Sequence, residues 1–182
     1  MTKEKGSLVV WSKQSPEKAK AIHQGLREAG IDFVVTVPDS WTKEVSACLR
    51  EDPDIRYVCV TREEEAVAVA AGAWLGGKQP ALLIESTGLG NSLTALGGLN
   101  LDRQIPVLIL TSFRSALGEM LGQVSSYSSR FDRIMEALGV PYFILRDAQE
   151  AGAVIKQSQA QATCQRIPVA IFLTASAMWD EK

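Results

Sequence analysis

The sequence predicts an α/β domain with a doubly wound, mostly parallel six-stranded sheet and helices on both of its faces. Three observations lead to this fold class. Short runs of apolar and β-branched residues recur along the chain, and segments with helical spacing separate them. The runs are apolar at successive positions, as expected for strands that are covered on both sides. Alternating strands and helices are typical of parallel sheets, whose ligands bind at the carboxyl ends of the strands.

The elements can be assigned in chain order. Ser15, Pro16 and Glu17 form a helix start with an N-cap, a proline at the first helical position and an acid in the first turn, and Gly30 ends that helix. Strands are predicted at residues 32–37, 55–61, 81–85, 107–111, 142–145 and 169–173. Helices are predicted at about residues 41–49, 63–76, 148–164, from about Asn91 and within 120–139. We interpret Gly88 and Gly90 as a tight turn, residues 1–14 as a polar arm and residues 15–182 as one domain.

Composition excludes several classes of function. The formal net charge is −2, which provides no electrostatic attraction to nucleic acid or to an anionic membrane. No secretory signal and no apolar stretch long enough to span a bilayer is present. The three cysteines, Cys48, Cys59 and Cys164, lack the spacing of a metal site, so we expect free thiols, no metal on this chain and a cytoplasmic location.

Four loops follow predicted strands and should meet at the carboxyl edge of the sheet. They are residues 38–40 (PDS), 62–65 (REEE), 86–92 (STGLGNS) and 112–115 (SFRS). The glutamates open a helix that is rich in small residues on every face, which allows another chain to approach it closely. The glycines permit close backbone approach, but they form neither a dinucleotide fingerprint nor a P-loop.

Each loop also has a purely structural interpretation. Carboxylates stabilise helix starts, residues 88–90 can be a simple turn, Asp39 and Ser40 can cap a helix, and Arg114 can be a solvated surface side chain. The single histidine, His23, lies on a helix well before these loops, which argues against a nucleophile–histidine triad.

Taken together, the loops resemble the pyrimidine-binding domain of thiamine-diphosphate enzymes, in the branch of sulfopyruvate and phosphonopyruvate decarboxylases. In that family a glutamate precedes a small-residue helix with a glycine nine positions later, and here Gly72 stands nine positions after Glu63. This register selects Glu63 rather than its two neighbours. Residues 86–92 resemble the S-x-G-L-G-N-S stretch of that branch, and residues 37–40 resemble its V-P-D/C-S loop.

The resemblance implies a role for individual residues. Glu63 would hydrogen-bond a ring nitrogen of the aminopyrimidine of thiamine diphosphate and stabilise its protonated form. Gly88, Gly90 and Asn91 would line the cofactor or a subunit interface. The candidate residues for binding the substrate are Ser40, Ser112, Arg114, Ser115 and Gln123. No histidine lies near these loops, so the proton donor of the reaction stays unassigned.

The resemblance also implies partners. The family needs a second domain whose Gly-Asp-Gly motif holds Mg²⁺ and the diphosphate, and that motif does not occur in this sequence. A chain of this length resembles the alpha subunit of a split sulfopyruvate decarboxylase, so we expect a beta subunit that carries Mg²⁺, self-association as a dimer, and conversion of sulfopyruvate to sulfoacetaldehyde and CO₂.

Other interpretations stay open. The substrate could be phosphonopyruvate or another short 2-keto acid. The chain could instead be a catalytically silent binding or regulatory subunit, or a nucleotide-binding module that uses residues 88–90 as a phosphate loop.

Overall fold

The computed structural model describes residues 11–114 and 128–181. The strands are β1 (Trp11–Gln14), β2 (Phe33–Thr36), β3 (Arg56–Cys59), β4 (Pro80–Glu85), β5 (Val107–Ser112), β6 (Tyr142–Leu145), β7 (Pro168–Leu173) and β8 (Trp179–Glu181). The α-helices are α1 (Pro16–Glu28), α2 (Lys43–Glu51), α3 (Glu63–Leu75), α4 (Ser86–Asn91), α5 (Leu93–Ala95), α6 (Phe131–Ala137), α7 (Ala151–Gln165) and α8 (Ala175–Met178). A π-helical segment spans Leu96–Leu101, and 3₁₀ turns span Ser40–Thr42, Ser128–Arg130 and Ala148–Glu150.

Six of these strands form one parallel sheet in the order β3-β2-β4-β5-β7-β6, which confirms the predicted fold class. Thr36 pairs with both Cys59 and Leu83, and Glu85 pairs with Ser112, so the carboxyl ends of the central strands lie at one edge. From β2 the chain moves outward to β3, and from β4 it moves in the opposite direction to β5. This reversal creates a crevice between the loops after β2 and β4, where ligands of doubly wound sheets bind.

Helices cover both faces of the sheet, and each face has its own apolar core. On one face Ile22 of α1, Leu49 of α2 and Ile155 of α7 are fully buried. On the other face Val67 of α3 and Phe131 of α6 are buried. Because strand residues alternate between the two cores, the continuous apolar runs of the sequence correspond to strands buried on both sides.

Helix α3 shows why its small residues matter. Ala66, Val67 and Ala70 pack inward, which brings the helix close to the sheet. The opposite side of the helix is also small or apolar: Gly72 is exposed, and Leu75 is 70% exposed. The helix therefore presents apolar surface to solvent as well as to the core.

The glycine-containing segment after β4 was predicted incorrectly. Residues 88–90 lie inside α4, which begins at Ser86, whereas the sequence predicted a tight turn and a helix from about Asn91. The hydroxyl of Ser92 donates a hydrogen bond to the carbonyl of Gly88, at 3.1 Å, within this helical turn. Burial of Leu89 in the core stabilises the helix despite the low helix propensity of glycine.

A short antiparallel ribbon was not predicted. β1, which lies in the segment interpreted as an arm, pairs with β8, so that Trp11 lies opposite Glu181 and Gln14 opposite Trp179. Lys18 of α1 donates to the carbonyl of Trp179 at 2.6 Å and holds the ribbon against the domain. Within the described residues, no helix is both long enough and apolar enough to cross a bilayer.

Candidate active site

The crevice at the carboxyl edge places Glu63 directly against Gly88. Glu63 is the first residue of α3, after Arg62 in extended conformation, and its side chain crosses to the first turn of α4. A methyl group at Gly88 would lie 2.1 Å from Cδ and 2.2 Å from Oε1 of Glu63, far inside van der Waals contact. Only glycine at position 88 therefore allows the carboxylate to take this position.

The three glutamates at the start of α3 have different surroundings. Glu64 pairs with Arg62 at 2.6 Å. Glu65 accepts hydrogen bonds from the backbone N–H and the hydroxyl of Thr61, both at 3.1 Å, and these bonds lower the pKa of Glu65. The carboxylate of Glu63 is half-buried and has no hydrogen-bond or ion-pair partner among the described residues. It is therefore the carboxylate of the three that an incoming group can use.

Gly90 and Asn91, the other predicted cofactor residues of α4, have different surroundings from Gly88. Gly90 packs against α6, since a methyl group there would lie 2.8 Å from Cζ of Phe131. Asn91 is exposed at the end of the helix. The contact of Gly90 with Phe131 explains the absence of a side chain by packing alone, and a role of Gly90 and Asn91 in cofactor binding stays a prediction.

The predicted substrate residues are only partly brought together. Ser40 is exposed, and its carbonyl accepts a hydrogen bond from the side-chain amide of Gln14. Ser112 is buried, and its hydroxyl accepts a hydrogen bond from the N–H of Ser86 at 3.3 Å. Ser115 and Gln123 lie outside the described residues.

Arg114 is buried and points into the domain. Its Nη1 lies 3.8 Å from Oδ1 of Asp39 and 3.7 Å from Oε1 of Glu85, and its guanidinium carbon lies 4.8 Å from the ring centre of Trp41. The arginine, in the loop after β5, therefore links that loop to the loop after β2 and to the end of β4. An anion that approached it would also meet two carboxylates, so a role of Arg114 in substrate binding stays a prediction.

Asp39 and Glu85 were not predicted as site residues. Burial raises the pKa of the Asp39 carboxyl, the neighbouring Glu85 carboxylate adds to this rise, and Arg114 opposes it. Glu85 ends an otherwise apolar strand, and a charged residue at that position was the available signal. The described residues contain no group of three or more His, Cys, Asp or Glu side chains that could hold a metal ion.

Comparison with known proteins identifies the family of this crevice. Residues 17–123 match the model of the thiamine pyrophosphate enzyme, N-terminal TPP binding domain. The chain belongs to the thiamine pyrophosphate enzymes. The family recognised from the loop motifs is thereby confirmed.

Curated relatives within the thiamine pyrophosphate enzymes cover most of the chain. The sulfopyruvate decarboxylase subunit alpha of Methanococcus maripaludis is 37% identical over 157 residues, which are 86% of this chain and 94% of that protein. The subunit alpha of Methanocaldococcus jannaschii is 32% identical over 85% of this chain and 92% of its own length. A phosphonopyruvate decarboxylase of Streptomyces viridochromogenes is 40% identical over 95 residues, which are 52% of this chain and 24% of that protein. These relatives are decarboxylases, as the loop motifs predicted.

A solved structure shares the fold. The 2-oxoglutarate:ferredoxin oxidoreductase from Magnetococcus marinus matches 97% of this chain with a TM-score of 0.68, at 14% sequence identity and over 31% of its own chain. At this identity the likeness concerns the fold alone.

The crevice suits the aminopyrimidine end of thiamine pyrophosphate. The accessible carboxylate of Glu63 can accept a hydrogen bond from a protonated ring nitrogen. The bare backbone at Gly88 leaves the space that this carboxylate occupies. Glu63 and Gly88 both lie within residues 17–123, the range that the family model matches.

Proposed function

We propose that the chain is the pyrimidine-domain subunit of a thiamine-diphosphate-dependent 2-keto-acid decarboxylase that converts sulfopyruvate to sulfoacetaldehyde and CO₂. The observation that carries this proposal is the unpaired carboxylate of Glu63 held against Gly88 in the crevice. Support for the substrate comes from the curated relatives, of which those similar over nearly their whole length are sulfopyruvate decarboxylase alpha subunits.

Glu63 has a defined chemical task in this proposal. When bound, thiamine diphosphate supplies a thiazolium that accepts the electrons of the bond to the departing carboxylate. The carboxylate of Glu63 holds a proton at the pyrimidine ring nitrogen through a charge-assisted hydrogen bond. Gly88 leaves the space that this carboxylate occupies at the start of α3.

The proposal requires a second subunit. The beta subunit carries the diphosphate-binding domain and Mg²⁺, and the names of the relatives as subunit alpha support such a division. The apolar outer side of α3 supports both contact with that subunit and self-association as a dimer. The free thiols of Cys48, Cys59 and Cys164 support a location in the reducing cytoplasm.

Substitution of Glu63 tests the proposed function. The chain should be produced together with the proposed beta subunit. The release of CO₂ from sulfopyruvate should then be measured with thiamine diphosphate and Mg²⁺. We expect Glu63→Gln to lower turnover at least about 100-fold and to weaken cofactor binding measured by fluorescence quenching, because a neutral amide replaces the carboxylate that faces the ring nitrogen. Glu64→Gln is the matched control and should stay within about twofold of the parent, because Glu64 is paired with Arg62 and does not contact Gly88.

The outcomes separate the alternatives. Turnover by Glu63→Gln close to that of the parent would contradict the role of Glu63. Phosphonopyruvate should be assayed in parallel, because the phosphonopyruvate decarboxylase of Streptomyces viridochromogenes is similar to part of this chain. Faster turnover of phosphonopyruvate than of sulfopyruvate would make phosphonopyruvate the substrate. Absence of decarboxylation with either acid, combined with nucleotide binding by the chain alone, would favour the regulatory or nucleotide-binding interpretation.

A further inference from the structure

A cavity of about 230 Å³ lies between the loop after β2, helix α2 and the edge strand β3. Its lining includes Ser46 and Arg50 from α2, and Tyr57 and Cys59 from β3. Neither Glu63 nor Gly88 belongs to the lining, so the proposed cofactor role does not account for this cavity.

Ser46 is one of two lining residues, with Asp39, that carry a buried oxygen without a hydrogen-bond partner among the described residues. It is 4% exposed, and its hydroxyl has no hydrogen-bond partner among the described residues. Serine hydroxyls inside helices normally turn to solvent or donate to the carbonyl one turn back. A buried hydroxyl without a partner lowers stability, and its presence beside a cavity indicates a partner that enters from outside.

The charges around Ser46 select the kind of partner. Lys43, Ser46 and Arg50 are spaced three and four residues apart, so they lie on one side of α2. Lys43 has no hydrogen-bond or ion-pair partner within the described ranges. Asp39 is the carboxylate of the lining; it opposes an anion, and Arg114, whose Nη1 lies 3.8 Å from Oδ1 of Asp39, offsets part of its charge.

The remaining walls are apolar in character. The guanidinium of Arg50 lies 6.0 Å from the ring centre of Tyr57, and its Nε donates to the carbonyl of Ser46 at 3.3 Å. The tyrosine ring and the aliphatic stems of Lys43 and Arg50 can therefore contact a short carbon chain. The cavity combines the hydroxyl of Ser46, two cations and an apolar wall.

We propose that this cavity binds a small organic anion, a short-chain carboxylate or sulfonate. Its oxyanion accepts a hydrogen bond from the hydroxyl of Ser46 and pairs with Lys43 and Arg50, and its carbon chain packs on Tyr57. Asp39 lines the cavity and also pairs with Arg114 at 3.8 Å, so an occupant would contact the same loop that Arg114 contacts.

Titration with ethanesulfonate and propionate tests this proposal. Isothermal titration of the full chain, in the assembly in which it purifies, should show saturable binding above a sodium chloride control of equal ionic strength. Ser46→Ala and Lys43→Ala should each weaken binding about tenfold or more, since each removes a partner of a charged group. Ser46→Ala should not lower the unfolding free energy, because its hydroxyl is unpaired in the free chain. Lys156→Ala, on the exposed side of α7, and Glu63→Gln should leave binding unchanged.

Cysteine modification provides a second measurement on the same protein. Ethanesulfonate should slow the alkylation of Cys59, which lines the cavity, and leave the alkylation of the exposed Cys164 unchanged, as read by mass spectrometry. Binding no stronger than that of chloride, or equal affinity in Ser46→Ala, would overturn the proposal. Equally strong binding of inorganic phosphate would show that the carbon chain does not contribute and would overturn the proposal that the ligand is an organic anion. Loss of binding in Glu63→Gln would place the ligand in the crevice instead.

Discussion

Glu63 and Gly88 act as one unit because the carboxylate occupies the space of the missing side chain. Glu64 pairs with Arg62 and Glu65 with Thr61, whereas Glu63 has no hydrogen-bond or ion-pair partner among the described residues. The identity of residue 88 therefore controls the geometry at residue 63.

The Gly88→Ala variant tests this dependence. The new methyl group would lie 2.1 Å from Cδ of Glu63, so the carboxylate must move away. A displacement of about 1 Å at a positioned group costs roughly 100-fold in rate, and we expect a loss of this order in the decarboxylation assay with the partner subunit. Gly152→Ala on α7 is the control, because its methyl group would meet only Glu28 at 3.7 Å. Unchanged activity of Gly88→Ala would contradict the role of this contact.

Arg114 has a structural task that can be measured as stability. Replacing it by methionine leaves Asp39 and Glu85 without their shared cation in a largely buried setting. We expect Arg114→Met to lower the unfolding free energy in urea by about 3 kcal/mol, the lower end for breaking a buried pair, because Glu85 retains partial exposure. The exposed Arg103→Met should change it by less than about 0.5 kcal/mol. Similar stability of both variants would show that the arginine does not stabilise the segments that carry Asp39 and Glu85.

At the scale of elements, the sequence predicted the strands of the main sheet well because apolar β-branched runs are unambiguous when both faces are buried. Helix α4 was missed because two glycines near its start indicate a turn locally, whereas packing of Leu89 in the core decides the outcome. Strands β1 and β8 were missed because each is short and pairs only with the other, at the opposite end of the sequence.

Helices α1 and α2 are joined by one carboxylate. Asp52, at the end of α2, contacts Nε2 of His23 at 2.6 Å and Nη1 of Arg27 at 2.8 Å. Burial alone would raise the pKa of Asp52, but the N–H of Asp54 and the side chains of Arg27 and His23 together lower it below its usual value. The unfolded chain therefore binds a proton at a higher pH than the folded chain does.

This difference predicts how stability depends on pH. The contribution of Asp52 is fully present above its unfolded pKa of about 4 and is lost as the pH falls through the lower folded value. Urea unfolding at pH 3 to 7 should show this loss of unfolding free energy in the parent chain. Asp52→Asn should be less stable at neutral pH, and its stability should fall less steeply toward pH 3, so that the acid limb of its pH profile is flatter. Asp54→Asn, at an exposed position, should retain the limb. An identical acid limb in Asp52→Asn would exclude this carboxylate as its source.

At the scale of the whole molecule, the site could be predicted only in part. The loop motifs select Glu63, and the parallel sheet indicates that the loops share one edge. The inward direction of Arg114 could not be predicted, because its partners, Asp39 in the loop after β2 and Glu85 at the end of β4, become neighbours only in the folded chain. The unpaired hydroxyl of Ser46 likewise depends on packing that no local motif describes.

Association of the chain is predicted to use the outer side of α3. Ala68→Glu places a charge on this exposed apolar side, where the isolated domain tolerates it but a subunit contact would not. We expect multi-angle light scattering to show a smaller assembly than for the parent, with unchanged circular dichroism. Ala160→Glu on the exposed side of α7 is the matched control and should assemble normally. Unaltered mass of Ala68→Glu would move the interface elsewhere.

The contact between Glu63 and Gly88 also offers a criterion for interpreting related genomes. Position 88 can carry a side chain only if the acid at position 63, which lies 25 residues earlier in the chain, moves away or is replaced. If the proposed role of Glu63 holds, a homologue that keeps the glutamate but carries alanine or a larger residue at the position of Gly88 would have lost this geometry while still matching the motif. Such pairs could distinguish active enzymes from inactive descendants before any protein is purified.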